Sequence, residues 1–151
     1  MTSEVSGSQV GAAAAGGVAL TETTGNPVVM LVEDFQDTRE MMRTMLELSG
    51  CRVVEAANGQ EAIELSQHGG LDLILMDLNM PVLDGFTATL RIREYEPTRD
   101  VPVVAVTAYD TEEMRAAAGA VGCCDYVLKP LDPSRLDTLL KQLLPPRAAE
   151  H

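Results

Sequence analysis

The segment Leu71-Asp-Leu-Ile-Leu-Met76, followed by Asp77, is a nearly continuous apolar run in the middle of the chain. Similar runs lie on both sides of it: Pro27-Val-Val-Met-Leu-Val32, Cys51-Arg-Val-Val-Glu55, Val101-Pro-Val-Val-Ala-Val106 and Asp125-Tyr-Val-Leu128. Because Val, Ile and Leu follow one another in these runs rather than alternating with polar residues, they predict strands covered on both faces. The run at 51–55 is shorter and more polar, which favours the edge of a sheet.

Helix signals occupy the segments between these runs. Asn58-Gly-Gln-Glu61 and Asp110-Thr-Glu-Glu113 each place a capping residue three positions before Glu, and Asp132 stands directly before Pro133. Apolar residues recur at helical spacing in the last segment: Leu136, Leu139, Leu140 and Leu143. In the first segment, which Gly50 ends, the residues expected to share one buried face are Phe35, Met42, Met45 and Leu46.

Five strands alternating with five helices predict an α/β fold, a single doubly wound (βα)5 sandwich around a parallel five-stranded sheet. Right-handed crossovers limit the possible topologies, and we expect the flavodoxin-like strand order 2-1-3-4-5. In such a sheet, ligands bind beyond the carboxyl ends of the strands where the order reverses. The sequence has no glycine-rich loop of the dinucleotide or P-loop type after the first strand, so it shows no nucleotide cradle.

The composition divides the chain into one domain, residues 27–144, and two tails. Residues 1–26 are rich in Gly, Ala, Ser and Thr and offer too little bulky apolar surface to offset the entropy of ordering, so a disordered tail is expected. Residues 145–151 are expected to be a second disordered tail. The apolar stretch 10–20 resembles the middle of a signal peptide, but Glu4 precedes it and no basic residue does.

The formal net charge of −12 argues against direct nucleic-acid binding and against docking on anionic membranes, because both need a basic surface. No apolar run approaches the roughly 18 residues of a membrane helix. Three cysteines, of which Cys123 and Cys124 are adjacent, do not make a disulfide framework. These observations predict a cytoplasmic protein.

Chemically distinctive residues follow the predicted strands: Glu33 and Asp34, then Asp77, Thr107, and Lys129 with Pro130. In the predicted sheet all of these positions face one rim, and carboxylates that converge there resist ionisation without compensation. Either a protonated pair that serves acid–base chemistry or a hard divalent cation such as Mg²⁺ resolves the repulsion. A lysine and a hydroxyl nearby suit phosphate, so the cluster indicates phosphoryl transfer to a carboxylate nucleophile.

The segment Leu75-Met-Asp-Leu-Asn-Met-Pro-Val-Leu-Asp-Gly85 resembles the phosphoacceptor segment of bacterial response-regulator receiver domains. Val32-Glu-Asp34, Val106-Thr-Ala108 and Leu128-Lys-Pro130 resemble the other signatures of that family, in order and at the expected strand ends. The resemblance covers about Pro27 to Leu144, which makes residues 27–144 the receiver domain.

The resemblance implies a role for each residue of the rim. Asp77 is the phosphoacceptor, which takes the phosphoryl group from a phosphohistidine, and Lys129 pairs with a phosphate oxygen. Asp34, Asp77 and the backbone carbonyl of Asn79 ligate Mg²⁺ (or Mn²⁺), and Glu33 does so through water. Thr107 donates its hydroxyl to the phosphoryl group.

The resemblance also implies a switch. Thr107 moves toward the phosphoryl group, Tyr126 then rotates inward, and the face of the fourth helix, fifth strand and fifth helix changes. Loop shape is attributed to Ala108, which leaves room for phosphate, to a cis Pro130, and to Gly85, which permits backbone angles that other residues avoid. The implied partners are a histidine kinase or histidine phosphotransfer protein and a downstream protein target.

Two other functions remain open at this point. An aspartate-nucleophile phosphatase of the haloacid-dehalogenase type would carry Asp-x-Asp after its first strand, whereas this chain has Asp77-Leu-Asn79 after the third. A pseudo-receiver, which binds partners without chemistry, would not need the complete set of rim residues. We expect a switch rather than an enzyme, with only self-catalysed phosphoryl acceptance and slow hydrolysis. We also expect a stand-alone regulator rather than a piece of a larger kinase or regulator, and a shielding role for Tyr109 over the acyl phosphate.

Overall fold

Strands and helices alternate strictly along the part of the chain that the computed structural model describes, residues 25–80 and 83–144. The strands are β1 (Val28–Val32), β2 (Arg52–Ala56), β3 (Leu73–Asp77), β4 (Val103–Thr107) and β5 (Asp125–Leu128). The helices are α1 (Gln36–Leu48), α2 (Gly59–Ser66), α3 (Gly85–Glu94), α4 (Glu112–Ala120) and α5 (Pro133–Leu143). The tails expected at residues 1–26 and 145–151 lie outside the described residues, apart from residues 25 and 26.

The strands form one parallel sheet in the order β2-β1-β3-β4-β5, which confirms the predicted fold class and topology. Val32 of β1 pairs with Met76 of β3, and Thr107 of β4 pairs with Leu128 of β5. The carboxyl ends of four strands therefore come level along one edge. Asp77 and Thr107 are the last residues of their strands rather than the first residues after them.

The side chains of the sheet alternate between two apolar layers. Every residue of β1, β3 and β4 is buried, whereas four of the five residues of the edge strand β2 are half-buried, as its polar composition predicts. One layer joins the sheet to α1 and α5 through Met42, Leu46 and the leucine stripe of α5, while the other joins it to α2, α3 and α4. Burial on both faces explains the continuous apolar runs.

Two of the three predicted helix caps are confirmed. The Asn58 side chain accepts a hydrogen bond from the Glu61 N–H at 2.9 Å, and the Asp132 carboxylate accepts one from the Arg135 N–H at 3.1 Å. The prediction for Asp110 is wrong, because α4 begins one residue later and Thr111 caps it. Asp110 forms an ion pair with Arg115 at 2.8 Å instead.

Cys51, Cys123 and Cys124 are all free thiols. Across residues 25–80 and 83–144, no helix has the length and apolar character needed to cross a bilayer.

Candidate functional site

A cleft of about 700 Å³ opens at the carboxyl edge of the sheet. Most of the predicted rim residues meet there, together with residues from the starts of α1 and α4. The described residues that line it are Glu33, Asp34, Phe35, Thr38, Asp77, Asn79, Ala108, Tyr109, Thr111, Met114 and Lys129. The strands β1 and β3 are adjacent where the strand order reverses, which places Glu33 and Asp34 beside Asp77.

Asp77 ends β3 at the base of the cleft and is only 3% exposed. Its Oδ1 accepts a hydrogen bond from the Asn79 N–H at 3.1 Å, and its Oδ2 lies 3.2 Å from Lys129 Nζ. Burial and the nearby charge of Glu33 raise the pKa of Asp77 from 3.8 to about 6, outweighing the opposite effect of Lys129. Keeping Asp77 ionised in the absence of a metal ion therefore costs folding free energy.

Glu33 and Asp34 directly follow β1, and each can offer a carboxylate oxygen close to Asp77. One oxygen from each of the three residues lies within 4.8 Å of the others. Glu33 is 2% exposed, whereas Asp34 is open to solvent. The Oε2 atom of Glu33 accepts a hydrogen bond from the Phe35 N–H at 3.1 Å.

Lys129 reaches into the acidic cluster from the loop after β5. Its Nζ lies 2.7 Å from Glu33 Oε1 and 3.2 Å from Asp77 Oδ2. Burial lowers the pKa of Lys129, but the close contact of its ammonium with Glu33 and the charges of both acids raise that pKa by more. The Lys129 side chain is therefore positively charged. The Lys129–Pro130 peptide bond is cis, as the resemblance implies.

Thr107 and Tyr126 are linked through Tyr109. Thr107 is fully buried, and its Oγ1 accepts a hydrogen bond from the Tyr109 N–H at 3.2 Å. The Tyr126 hydroxyl donates to the Tyr109 carbonyl oxygen at 2.5 Å, and the Arg115 guanidinium stacks 4.6 Å from the centre of the Tyr126 ring. Thr107 is not among the described lining residues, so only Ala108 and Tyr109 of this segment face the cleft directly.

Gly85 was expected to be needed for backbone angles that other residues avoid, and that prediction was wrong. Its φ is not among the positive ones, and its requirement is for space, because Gly85 packs against the backbone at the end of β3. A Cβ there would meet the Asp77 carbonyl oxygen and would lie 2.7 Å from the Leu78 Cα. Asp84 caps α3 by accepting a hydrogen bond from the Thr87 N–H at 2.9 Å.

Phe35 was predicted to share the buried face of α1, and that prediction was wrong. Phe35 is 60% exposed and lines the cleft, because it precedes the first helical residue and so lies outside the helical periodicity. Its position next to Asp34 is the signal that could have placed it at the site. Thr38, Thr111 and Met114 also line the cleft without having been predicted to do so.

The donor set fits a hard divalent cation. Glu33 Oε1 is buried without a hydrogen bond of good geometry, although the Lys129 ammonium lies beside it. Among the described residues of this cluster, three carboxylates stand against one ammonium, that of Lys129. The formal charge of the cluster is therefore −2. Carboxylate oxygens are the ligands that Mg²⁺ takes in proteins, usually with water and phosphate completing the shell.

Comparison with known proteins points to one family. Residues 29–141 match the response regulator receiver domain family. An uncharacterised 14.6 kDa protein of Leptolyngbya boryana is 39% identical over 121 residues, which cover 80% of this chain and 92% of that protein. The polar-differentiation response regulator DivK of Brucella anthropi is 34% identical over 120 residues, which cover 77% of this chain and 94% of DivK.

A solved structure supports the same assignment. The receiver domain of the sensor histidine kinase PA1611 from Pseudomonas aeruginosa PAO1 is 35% identical to this chain and superposes with a TM-score of 0.74. The match covers 78% of this chain and 97% of that one, and the magnesium ion of that structure is coordinated in its active site cleft. Receiver domains of response regulators are signalling modules. By family match, identity and fold, this chain belongs to the response regulator receiver domains.

Proposed function

We propose that this domain is a phosphoacceptor switch of a two-component phosphorelay. Asp77 accepts a phosphoryl group from a phosphohistidine of a histidine kinase or a histidine phosphotransfer protein. The observation that carries the proposal is the convergence of the Asp77, Glu33 and Asp34 carboxylates with Lys129 in one cleft. The proposed site of action is the cytoplasm, and the activity is a switch that only slowly hydrolyses its own aspartyl phosphate.

A divalent cation, Mg²⁺ or Mn²⁺, is part of the proposal. Asp34, Asp77 and the Asn79 backbone carbonyl would hold it directly, and Glu33 would do so through water. When bound, the cation offsets negative charge on the transferring phosphoryl oxygens. The buried Glu33 oxygen without a good hydrogen bond and the magnesium ion in the PA1611 receiver domain support this assignment.

The side chains of the cleft have separate tasks in the transfer. The ionised Asp77 Oδ attacks phosphorus, the bond between phosphorus and the donor nitrogen breaks, and that nitrogen keeps the electron pair. The Lys129 ammonium pairs with a phosphoryl oxygen, so it exchanges its present contacts with two carboxylates for the new anion. Thr107 Oγ1 already accepts the Tyr109 N–H, and its own hydrogen is left to donate to a phosphoryl oxygen.

The proposed output is a change on the face of α4, β5 and α5. Phosphorylation replaces a carboxylate by a group of about −1.5 to −2 charge, which draws Thr107 toward it. Thr107 accepts a hydrogen bond from the Tyr109 N–H, and the Tyr109 carbonyl accepts one from the Tyr126 hydroxyl. A movement of Thr107 is therefore transmitted to Tyr126 through one residue. A downstream protein would read the new position of Tyr126.

Incubation with a small acyl-phosphate donor and Mg²⁺, followed by intact-mass analysis and peptide mapping, tests the function. We expect one phosphoryl adduct per chain, which is located on Asp77 and forms only when the metal is present. Steady release of phosphate from many phosphate esters would show a phosphatase of the aspartate-nucleophile type instead. No adduct at any donor concentration would identify a pseudo-receiver.

Asp34→Asn is expected to weaken Mg²⁺ binding at least tenfold, because the amide offers one neutral oxygen in place of a charged carboxylate. Calorimetric titration of the metal into the unphosphorylated domain measures the effect. Asp37→Asn is the matched control, since Asp37 is also exposed and lies only three positions along the chain, in the first turn of α1. Equal affinities for the two variants would remove Asp34 from the ligand set.

Tyr109→Ala is expected to shorten the lifetime of the aspartyl phosphate several-fold. The Tyr109 side chain is 56% exposed at the mouth of the cleft, where its ring can exclude attacking water. Loss of the adduct over time after removal of the donor measures the rate. Tyr95→Ala serves as the control, because Tyr95 follows α3 and is not among the described lining residues. An unchanged or slower rate for Tyr109→Ala would refute the shielding role.

A further inference from the structure

Arg39, on α1, bridges the ends of two neighbouring strands behind the acidic cluster. Its Nη1 donates to the Glu33 backbone carbonyl at 2.9 Å, and its Nε donates to Oε1 of Glu55 on β2 at 3.0 Å. The Arg39 side chain is only 17% exposed, although it is not among the described residues that line the cleft. Arg39 thus contacts the backbone of a proposed metal-binding residue from outside the site.

The backbone and side chain of Glu33 are held from three directions. Its N–H donates to the Ala56 carbonyl at 3.0 Å, its own carbonyl accepts from Arg39, and its Oε2 accepts from the Phe35 N–H. The Glu33 carbonyl belongs to the planar peptide unit that joins Glu33 to Asp34. Fixing this oxygen therefore fixes the plane from which the Asp34 side chain departs, as well as the backbone that carries the Glu33 carboxylate.

The charge of Arg39 is offset locally. Burial raises the pKa of Glu55, but hydrogen bonds from Arg43 and Arg39 lower it by more, so Glu55 is ionised beside both guanidinium groups. Arg43 Nη1 lies 2.6 Å from Glu55 Oε2. Arg39 consequently acts on the acidic cluster mainly through the orientation of a peptide unit and less through its positive charge.

We propose that Arg39 is a positioning residue for the divalent-cation site, acting through its hydrogen bond to the Glu33 carbonyl. This inference rests on the proposed function, because it assumes that Glu33 and Asp34 hold Mg²⁺. Partners that orient metal ligands from behind typically contribute 10–100-fold to metal affinity. Removal of this bond should therefore loosen both carboxylates and weaken the binding of the metal without touching any reacting atom.

Arg43 is a matched control, because it also forms an ion pair with Glu55. None of the described contacts of Arg43 involves Glu33. Mg²⁺ alone is titrated calorimetrically into the full-length wild type, Arg39→Met and Arg43→Met. We expect the dissociation constant to rise about tenfold for Arg39→Met and less than twofold for Arg43→Met. Equal changes in the two variants would show that only the ion pairs with Glu55 matter, and would overturn the inference.

A second measurement works without metal and with a milder substitution. Arg39→Lys keeps a cation near Glu55 but lacks the fork that reaches both partners. Amide NMR of the metal-free protein should show a displaced Asp34 resonance in Arg39→Lys and an unchanged one in Arg43→Met. An Asp34 resonance that stays in place in Arg39→Lys would refute the positioning role, even if Arg39→Met did not fold.

The same titration separates this inference from the proposed function. A wild-type protein that does not bind Mg²⁺ would end both. A wild-type protein that binds Mg²⁺ and accepts a phosphoryl group, with Arg39→Met binding the metal equally well, would end the inference about Arg39 alone.

Discussion

Asp77→Asn is expected to abolish phosphoryl acceptance and, in the metal-free domain at pH 7, to raise the free energy of unfolding by about 2 kcal/mol. The amide cannot act as the nucleophile, so the adduct should disappear. Stability should rise because the buried carboxylate, 3% exposed and beside Glu33, has its pKa raised to about 6. A shift of about 2 pKa units, which already includes the opposing effect of Lys129, corresponds to about 3 kcal/mol, and solvent screening in the open cleft reduces the gain.

The pH dependence of this gain has a definite sign. A carboxyl whose pKa is higher in the folded protein binds its proton more tightly there than in the unfolded chain. The wild type therefore gains stability from Asp77 as pH falls through 6 toward 4, and Asp77→Asn does not. The stability difference between the two proteins should be largest at pH 7 and should shrink at pH 5, as measured by urea unfolding in the presence of a chelator.

Asp72→Asn is the control at the opposite end of the same strand. Asp72 precedes β3, and its carboxylate accepts a hydrogen bond from the Val28 N–H at 2.8 Å, so neutralising it should bring no gain in stability. It should also leave phosphoryl acceptance intact. An Asp77→Asn protein that is no more stable than the wild type, or that still carries the adduct, would contradict the proposed roles of Asp77.

Gly85→Ala is expected to lower the free energy of unfolding by about 3 kcal/mol, through overpacking against atoms that cannot move aside. The added methyl group would meet the Asp77 carbonyl oxygen and lie 2.7 Å from the Leu78 Cα, both of which are backbone. The start of α3 would have to shift away from the end of β3, which also carries the proposed phosphoacceptor. Urea unfolding measures the loss, and the rate of phosphoryl acceptance should fall with it.

Gly119→Ala isolates the effect of space from that of helix propensity. Gly119 lies within α4, and a methyl group there would meet no atom within 4 Å. Alanine should stabilise this helix by about 0.5–1 kcal/mol. If Gly85→Ala also gained stability, the close approach of α3 to β3 would not be a constraint on the fold.

The fold could be predicted from the sequence because burial on both faces leaves a local trace. The runs at 28–32, 73–77 and 103–107 are continuous and apolar, and the ends of the last two placed Asp77 and Thr107 on one edge. The contact of Arg39 with the Glu33 carbonyl left no such trace, because a backbone oxygen has no sequence signature. Phe35 was misplaced for a related reason, since helical periodicity does not extend to a residue before the helix.

The distance along the chain between the members of the site has a consequence for signalling. Lys129 and Asp77 are 52 positions apart in sequence, and β4 separates the strands that carry them. Their contact forms only when β3, β4 and β5 are assembled in one sheet, so a chain in which these strands are not assembled lacks it. Under the proposed function, competence to accept a phosphoryl group is thereby acquired and lost cooperatively with folding.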